Sequence, residues 1–211
     1  MNPIHVVDYG MANLGSIVNM IKHVGGESVL CSDPEQLRDA DAIILPGVGH
    51  FGEAMTRLIE NGWEEPLHNS RERGAWILGI CLGMQLMTNS SEESGTEGLG
   101  WFPLETIRFP ESGPSGERIP IPHMGWNFAE QGPQPFDGWT GEEGDPRYYF
   151  VHSYFVDGHE HPACFCRTDY RGVPFASGIR DERVVGVQFH PEKSHRYGKK
   201  IFEWFLRMTK A

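Results

Sequence analysis

Short apolar runs alternate with segments of helical periodicity along the first half of the chain. Apolar residues recur every three or four positions over residues 14–24, and stretches near 53–59 and 63–73 also predict helices. This alternation is typical of an α/β fold with an open, mostly parallel sheet flanked by helices. The apolar runs that predict its strands are residues 4–7, 28–30, 42–45 and 75–80.

The second half of the chain has a different pattern, in which short strand-like segments are separated by Gly- and Pro-rich connections. The longest connection runs over residues 131–146, and an amphipathic helix is predicted over 197–208. These segments predict additional antiparallel strands on the parallel core, and the absence of a linker or repeat predicts one domain over 1–211. The predicted strands are residues 106–109, 119–121, 148–151, 164–168, 175–179 and 184–189.

Composition narrows the possible functions. A formal net charge of −11 over 211 residues argues against nucleic-acid binding, which depends on clustered Lys and Arg. No apolar run is long enough for a membrane span, and the first residues do not resemble a signal peptide, so we expect a cytoplasmic protein. One modest basic group, residues 193–200, is equally consistent with a solvated helix start and with an anion or partner contact.

The cysteines are expected to be free thiols, because the chain shows no export signal. Cys164 and Cys166 closely follow His159 and His161, which raises the possibility of a zinc site. A Cys-x-Cys pair is not a usual structural zinc spacing, so a polar turn followed by a strand is favoured. We therefore expect no metal and no other cofactor.

The sharpest chemical signal is Cys81, which lies between Gly79 and Gly83 at the end of an apolar run and before a predicted helix. This arrangement is typical of a nucleophile elbow with cysteine in the serine position. A tight strand-to-helix turn would project the sulfur above the carboxyl edge of the sheet, and the helix N-terminus would favour a thiolate. Taken alone, the pattern is equally consistent with a buried cysteine in a tight turn.

A base and its orienting acid are predicted at the end of another strand. His190 ends the apolar run 184–189, and Pro191 prevents the strand from continuing. Glu192 is close enough to accept a hydrogen bond from the imidazole and to favour its charged form. These residues supply what a cysteine nucleophile requires.

Residues 45–51 form a loop that follows a central strand and contains Gly47 and Gly49. Such a loop beside the elbow could supply an oxyanion N–H that complements the one from Leu82. It could equally be a βα turn in which the glycines serve only the backbone geometry.

Five blocks of sequence together resemble class I glutamine amidotransferases, which implies that family's fold. The block at residues 122–127 narrows the resemblance to the glutaminase subunits of imidazole glycerol phosphate synthase, since the other blocks are more widely shared. The resemblance extends over nearly the whole chain. Its blocks are residues 7–14, 45–51, 79–86, 122–127, and 149–154 taken with 186–194.

The resemblance implies a glutaminase mechanism. Cys81 would attack the side-chain amide of glutamine to give a thioester, and His190 would protonate the departing ammonia and then activate water. Glu192 would orient His190. A (β/α)₈-barrel cyclase is the implied partner, and it would receive the ammonia through its interior to form imidazole glycerol phosphate in histidine synthesis.

The resemblance also implies binding roles for residues around the triad. Gln85 and Glu93 would hold the glutamine, and Gly49, His152 and Ser153 would line its pocket. The Val48 peptide could turn to complete the oxyanion hole, so we expect the hole to be incomplete without the partner's ligand. The residues expected to face the partner are Asn13, Pro122, Met124 and Trp126.

Some positions depart from the commonest form of the family. Trp101, His195 and Arg196 resemble a paralogous branch that supplies ammonia for amidation of surface-polysaccharide sugars, so the ammonia acceptor remains open. A stand-alone cysteine hydrolase acting on γ-glutamyl compounds is a second alternative, and a catalytically silent binding module is a third. The intact triad disfavours the binding module.

Overall fold

The computed structural model describes residues 2–134 and 146–209. Four parallel strands form the first part of its main sheet, in the order β2-β1-β3-β4. Helix α1 connects β1 to β2, and helices α2 and α3 connect β3 to β4, whereas the connection from β2 to β3 contains only a short 3-10 turn, Pro34–Leu37. The strands are β1 (Ile4–Val7), β2 (Ser28–Cys31), β3 (Ala42–Gly47) and β4 (Trp76–Cys81); the helices are α1 (Leu14–His23), α2 (Phe51–Glu60) and α3 (Glu64–Glu72).

The main sheet continues beyond β4 through β14 (Val184–Val187), which lies parallel to β4 and antiparallel to the next strand, β13 (Val173–Asp181). Mostly antiparallel strands then extend the sheet to twelve strands among the described residues. A short helix, α4 (Leu82–Leu86), follows β4 directly, and α5 (His195–Met208) ends the described chain. The remaining strands of this sheet are β5 (Thr88–Ser91), β6 (Thr96–Glu97), β7 (Phe102–Arg108), β9 (Glu130–Gln131), β11 (Tyr154–Asp157) and β12 (Cys164–Tyr170).

Two strands form a separate antiparallel sheet, β8 (His123–Phe128) and β10 (Arg147–His152). Their register pairs His123 with His152 at one end and Phe128 with Arg147 at the other. The first end therefore brings residues from both strands close to the carboxyl edge of the parallel sheet.

Apolar side chains cover both faces of the main sheet, as expected for parallel strands. Every residue of β3 is buried. One face packs against α2 and α3, and the other packs against α1 and α5. No helix in the described part of the chain is long and apolar enough to cross a membrane.

The fold class predicted from the sequence is confirmed, but two strand predictions are wrong. Residues 119–121 are not a strand. Pro120 and Pro122 lack an N–H, so the segment cannot make a regular ladder of backbone hydrogen bonds. The strand predicted over 184–189 ends at Val187, and most of the connection predicted over 131–146 lies outside the described residues.

Candidate active site

Cys81 ends β4 at the carboxyl edge of the sheet and is the N-cap of α4. Its backbone has φ 55° and ψ −110°, a left-handed conformation that is strained for a residue with a side chain. A Cβ on Gly83 would collide with the Leu45 carbonyl oxygen, and one on Gly79 would lie 2.8 Å from the Gly83 carbonyl oxygen. Because only glycine fits at both positions, close backbone packing holds the nucleophile in its strained turn.

His190 lies just beyond β14, and its backbone is fixed from two sides. Its N–H donates to the Tyr149 carbonyl oxygen at 2.9 Å, and its carbonyl oxygen accepts from the Ser194 hydroxyl at 2.6 Å. The Nδ1 atom lies 2.8 Å from Oε1 of Glu192, and both side chains are buried. Nδ1–H therefore donates to the carboxylate, which leaves Nε2 as the ring atom that can exchange a proton in the pocket.

The electrostatics of this pair favour a charged imidazole. Burial lowers the pKa of His190, but the negative charge of Cys81, a hydrogen bond with its sulfur and the Glu192 carboxylate together raise it to about 10. At neutral pH the ring is then an imidazolium beside a cysteine. A thiolate–imidazolium pair is the reactive form of a cysteine nucleophile.

A cavity of about 320 Å³ opens above Cys81. It is large enough for an amino-acid side chain and its polar end groups. It brings together the predicted nucleophile, the predicted base and every residue expected to bind glutamine, whereas Glu192 lies behind His190. The lining residues are Val48, Gly49, Cys81, Leu82, Gln85, Glu93, Pro122, Val151, His152, Ser153, Tyr154 and His190.

Two glutamine side chains lie next to the nucleophile: Gln85, which lines the cavity, and Gln188, which is fully buried. Gln188 directs its Nε2 at the Cys81 sulfur, 3.7 Å away, and its Oε1 accepts from Nε2 of Gln85 at 3.0 Å. Gln85 Nε2 also donates to the Tyr154 carbonyl oxygen at 2.9 Å. The orientation of Gln85 is therefore fixed by the protein itself.

Glu93 connects the cavity to the start of α2. Its Oε2 accepts a hydrogen bond from the Phe51 backbone N–H at 2.6 Å, one of the N–H groups that the first turn of a helix leaves without a helical partner. The negative charge of Glu93 thus lies at a helix N-terminus and at the edge of the cavity. A carboxylate in this position can bind an ammonium group.

A chain of hydrogen bonds connects β8 to the wall of the cavity. His152 Nδ1 lies 2.7 Å from the Tyr154 carbonyl oxygen and must donate to it, so His152 Nε2 accepts from His123 Nδ1 at 3.0 Å. Asn127 Nδ2 then donates to His123 Nε2 at 3.3 Å. Burial lowers the pKa of His123 to about 4 and that of His152 well below its usual range, so both rings are neutral.

The loop at the end of β3 is held away from the nucleophile. The Val48 N–H donates to the Met11 carbonyl oxygen at 2.8 Å, so it does not point at the Cys81 sulfur. The next residue, Gly49, has φ 110°, which glycine adopts at low cost. The second donor expected for an oxyanion hole is therefore occupied elsewhere in this state.

The outer face of β8 carries exposed apolar side chains beside the cavity. Met124 is 62% exposed, Trp126 39% and Phe128 50%. The Trp126 ring stacks on His195 with centroids 5.4 Å apart. Asn13, at the N-terminus of α1, is also exposed. Three large apolar side chains along one strand face are typical of a protein–protein interface.

The other cysteines lack the surroundings of Cys81. Burial raises the pKa of Cys31 to about 11 and that of Cys164 to about 12, and it raises that of Cys166 well above its usual range. Within the described ranges, no group of three or more His, Cys, Asp or Glu side chains could hold a metal ion. Cys81 is the thiol in this structure with a charged base beside it.

A family described as glutamine amidotransferase class-I matches residues 5–208. The chain belongs to this family. Curated relatives agree: it is 41% identical to "Imidazole glycerol phosphate synthase subunit HisH 2" of Methanococcus maripaludis, with 98% of this chain and 100% of the relative covered. It is also 42% identical to the HisH subunit of Bacillus subtilis, with 98% and 96% covered.

Solved structures share the fold of this amidotransferase. A structure described as a glutamine amidotransferase superimposes with a TM-score of 0.74 at 17% identity, covering 99% of this chain and 100% of the other. A chain in the structure of PurLQS from Thermotoga maritima gives a TM-score of 0.74 at 21% identity, with 99% of each chain covered. At such identities the similarity concerns the fold alone.

Sequence reasoning missed two residues near the nucleophile of this amidotransferase. Gln188 lies two positions before His190, and the two-residue alternation of a strand could have placed both side chains on one side. Tyr9 lies beside the loop after β3, in contact with Gly47. No local pattern marks Tyr9, because its position depends on the pairing of distant strands.

Proposed function

We propose that this chain is the glutaminase subunit of an imidazole glycerol phosphate synthase. It hydrolyses glutamine to glutamate and passes ammonia to a (β/α)₈-barrel cyclase in histidine biosynthesis. The HisH names of its full-length relatives support this assignment. The observation that carries it is the Cys81 sulfur, the charged His190 and the bound Glu192 around one cavity. We expect the complex to be cytoplasmic.

In the proposed reaction, the Cys81 thiolate attacks the side-chain amide carbon of glutamine. The carbonyl electrons move to oxygen, and they return when the C–N bond breaks. His190 gives its Nε2 proton to the nitrogen, which leaves as ammonia, and a thioester remains. His190 then takes a proton from water, the resulting hydroxide attacks the thioester, and glutamate is released as the thiolate re-forms.

The buried Glu192 supports this cycle by keeping the His190 proton on Nδ1. Because Nδ1 is bonded to Glu192, Nε2 is the ring atom left to interact with the Cys81 sulfur and to exchange a proton in the cavity. In the proposed cycle, His190 Nε2 therefore acts as the acid when ammonia leaves and as the base when water attacks the thioester.

The cavity suggests how glutamine would be selected. Glu93, at its edge, suits the α-ammonium group of a free amino acid, and Gln85 offers a fixed side-chain amide. His152 lines the wall with both ring nitrogens already hydrogen-bonded, so its ring would shape the pocket without bonding the substrate. Gly49 and Ser153 would contribute backbone and hydroxyl groups.

The oxyanion hole is proposed to have an inactive resting state. Leu82 N–H, at the start of α4, would be one donor, and Val48 N–H would be the other. The bond from Val48 N–H to the Met11 carbonyl must break before it can serve. Partner binding near the exposed Val48 is the event that we propose favours this change.

The exposed strip on β8 is proposed as the centre of the partner interface. Met124 and Trp126 would be buried by the cyclase, while Asn13 and Pro122 would lie at its margin. Large aromatic and Met side chains commonly provide most of the binding free energy of such interfaces. Ammonia released at the neighbouring cavity would then enter the partner directly.

One observation favours a different ammonia acceptor, a surface-polysaccharide sugar. His195, which distinguishes the polysaccharide-related branch in sequence, stacks on Trp126 within the proposed interface. This departure from the commonest family form therefore lies at the surface that we propose selects the partner. Co-purification of the partner discriminates the two: a cyclase supports the histidine pathway, and a sugar amidotransferase supports the paralogous branch.

The decisive test of the glutaminase proposal is Cys81→Ala in the assembled complex. We expect ammonia release from glutamine to fall at least about a thousandfold, because nucleophile and thioester are lost together. Cys31→Ala is the matched control and should retain full activity. Unchanged ammonia release by Cys81→Ala would refute the proposal, and full-rate cleavage of γ-glutamyl peptides by the isolated wild-type chain would instead support a stand-alone hydrolase.

A further inference from the structure

Tyr9 carries a buried hydroxyl group that has no partner within the described residues. Its side chain follows β1 at the carboxyl edge of the sheet and is only 3% exposed. Buried polar groups are nearly always hydrogen-bonded, since leaving one unpaired carries the full cost of removing it from water. A tyrosine where phenylalanine would fill the same space therefore suggests a second state in which the hydroxyl is paired.

The hydroxyl group lies against the loop that carries the proposed oxyanion donor. A Cβ on Gly47 would lie 2.6 Å from the Tyr9 oxygen, so the two residues are in direct contact. Burial and the negative charge of Cys81 raise the pKa of Tyr9 well above its usual range, although Arg57 opposes them. Tyr9 is therefore a protonated hydrogen-bond donor throughout the physiological pH range.

The Gly47–Val48 peptide has to turn if Val48 N–H is to leave the Met11 carbonyl and face the reacting carbonyl oxygen. The N–H and the C=O of one peptide point in opposite directions, so this turn also redirects the Gly47 carbonyl oxygen. The oxygen moves toward the side that the N–H has left, where the loop containing Tyr9 and Met11 lies. An enclosed carbonyl oxygen needs a donor there.

We propose that Tyr9 is a positioning residue for the oxyanion hole, and that its hydroxyl donates to the Gly47 carbonyl oxygen once the Gly47–Val48 peptide has turned. The hydroxyl that is unpaired at rest becomes paired in the active state. Tyr9 thereby stabilises the active state relative to the resting one without touching the substrate. This inference rests on the proposed glutaminase function and assigns Tyr9 a part in its regulation.

The test is Tyr9→Phe, measured in the complex with the co-purified partner. We expect kcat for glutamine hydrolysis to fall about 10- to 100-fold, less than for loss of an oxyanion donor itself. KM for glutamine should stay the same, because the ground-state pocket is untouched. The Tm of the isolated chain should not fall, because the hydroxyl has no partner in the resting state.

Two controls separate positioning from a general structural effect. Tyr170→Phe also removes a hydroxyl, but one that donates to the Pro120 carbonyl oxygen, and it should leave kcat unchanged. Alkylation of Cys81 by iodoacetamide needs a thiolate but no oxyanion hole, so Tyr9→Phe should react at the wild-type rate. Wild-type kcat in Tyr9→Phe, or equal losses of kcat, Tm and alkylation rate, would overturn the proposal.

A structure of the complex acylated by a glutamine-derived electrophile gives a direct readout. We expect the Tyr9 oxygen within hydrogen-bonding distance of the Gly47 carbonyl oxygen, and Val48 N–H no longer bonded to Met11. A Tyr9 hydroxyl still unpaired in that state would reject the proposal. Failure of the glutaminase function is distinguishable, since the wild-type complex would then release no ammonia from glutamine.

Discussion

The carboxyl edge of the parallel strands and the two-stranded sheet of β8 and β10 both contribute to one cavity, but they are built differently. Around Cys81 the backbone is packed so closely that neither Gly79 nor Gly83 could carry a Cβ. On β8 the outer face is open, and the large side chains there are apolar. The backbone around Cys81 is therefore tightly constrained, whereas the outer face of β8 leaves apolar side chains in contact with water.

The two regions suit different tasks, the rigid elbow at Cys81 for catalysis and the open face of β8 for binding. A nucleophile must be held at one position, and close backbone contacts hold it at φ 55° despite the strain. The outer face of β8, the proposed partner surface, is uncovered in the isolated chain, so its apolar side chains would be buried only in the complex. Mutations in the two regions should therefore affect different measurements.

The largest effect is expected at the elbow. Gly83→Ala would push a methyl group into the Leu45 carbonyl, so we expect a loss of more than about 3 kcal/mol in the free energy of unfolding, as for severe overpacking. Gly15→Ala in α1 is the matched control, because no atom lies within 4 Å of the added Cβ. It should stabilise by about 0.5–1 kcal/mol in urea denaturation. Equal effects at the two glycines would contradict the close packing described for the elbow.

The next effect concerns the pH dependence of the triad. Glu192 raises the pKa of His190, so Glu192→Gln should lower that pKa, move the alkaline limb of the kcat/KM profile to lower pH and reduce kcat/KM about 100-fold. Glu203→Gln removes an exposed carboxylate that pairs with Lys199 and should leave the profile unchanged. An alkaline limb that does not move would show that Glu192 has no electrostatic effect on the base.

The same pair predicts a stability signature. The folded pKa of His190, about 10, lies above its usual 6.5, so charged His190 stabilises the fold fully below pH 6.5. That contribution should disappear as pH rises through about 10. In Glu192→Gln this contribution should be smaller and should be gone at a lower pH, as followed by Tm against pH.

A smaller effect is expected at the open face of β8. Met124→Ala and Trp126→Ala should each weaken partner binding by about 2 kcal/mol, or roughly 30-fold in Kd, as for interface anchors. Ile59→Ala, at a similarly exposed apolar residue on α2, should leave Kd unchanged. Calorimetric titration measures all three, and wild-type affinity in both β8 variants would remove the strip from the interface.

The smallest effect is expected in the hydrogen-bond chain behind that face. His123→Phe keeps the ring stacking but leaves His152 Nε2 without a donor, so we expect a loss of about 1–2 kcal/mol in the free energy of unfolding. In the wild type, the folded pKa of about 4 means that stability falls as pH drops from 6.5 toward 4, because His123 must stay neutral. That acid sensitivity should be weaker in His123→Phe, whereas His68→Phe should retain it. A variant with unchanged stability and acid sensitivity would rule out this role for His123.

The accuracy of the sequence-based prediction also differs between the parallel strands and β8. The sequence predicts the four strands β1 to β4 to within two residues at each end, because they form short apolar runs, continuous and buried on both faces in β3. Strand β8 was not predicted, because its pattern is inverted: Met124 and Trp126 face outward, whereas His123 is buried. A prediction that places apolar residues inside and polar residues outside fails for a strand with the opposite pattern.

Some parts of the candidate site are also predictable from the sequence, and others are not. The pattern from Gly79 to Gly83 predicts Cys81, and the apolar run that ends before Pro191 predicts His190. The two side chains line one cavity because the carboxyl ends of parallel strands lie at one edge of the sheet. The hydrogen bond from Val48 N–H to the Met11 carbonyl could not be predicted, because it joins two loops that are distant in sequence. The same holds for the chain from Asn127 to Tyr154.

The inverted face of β8 has a consequence for how the cell must make this protein. Copies synthesised in excess of the proposed partner would keep Met124, Trp126 and Phe128 in water, where these side chains would adhere to one another or to chaperones. We therefore expect aggregation to increase with any imbalance in subunit dosage. Matched expression of this chain and the proposed partner would keep this surface covered.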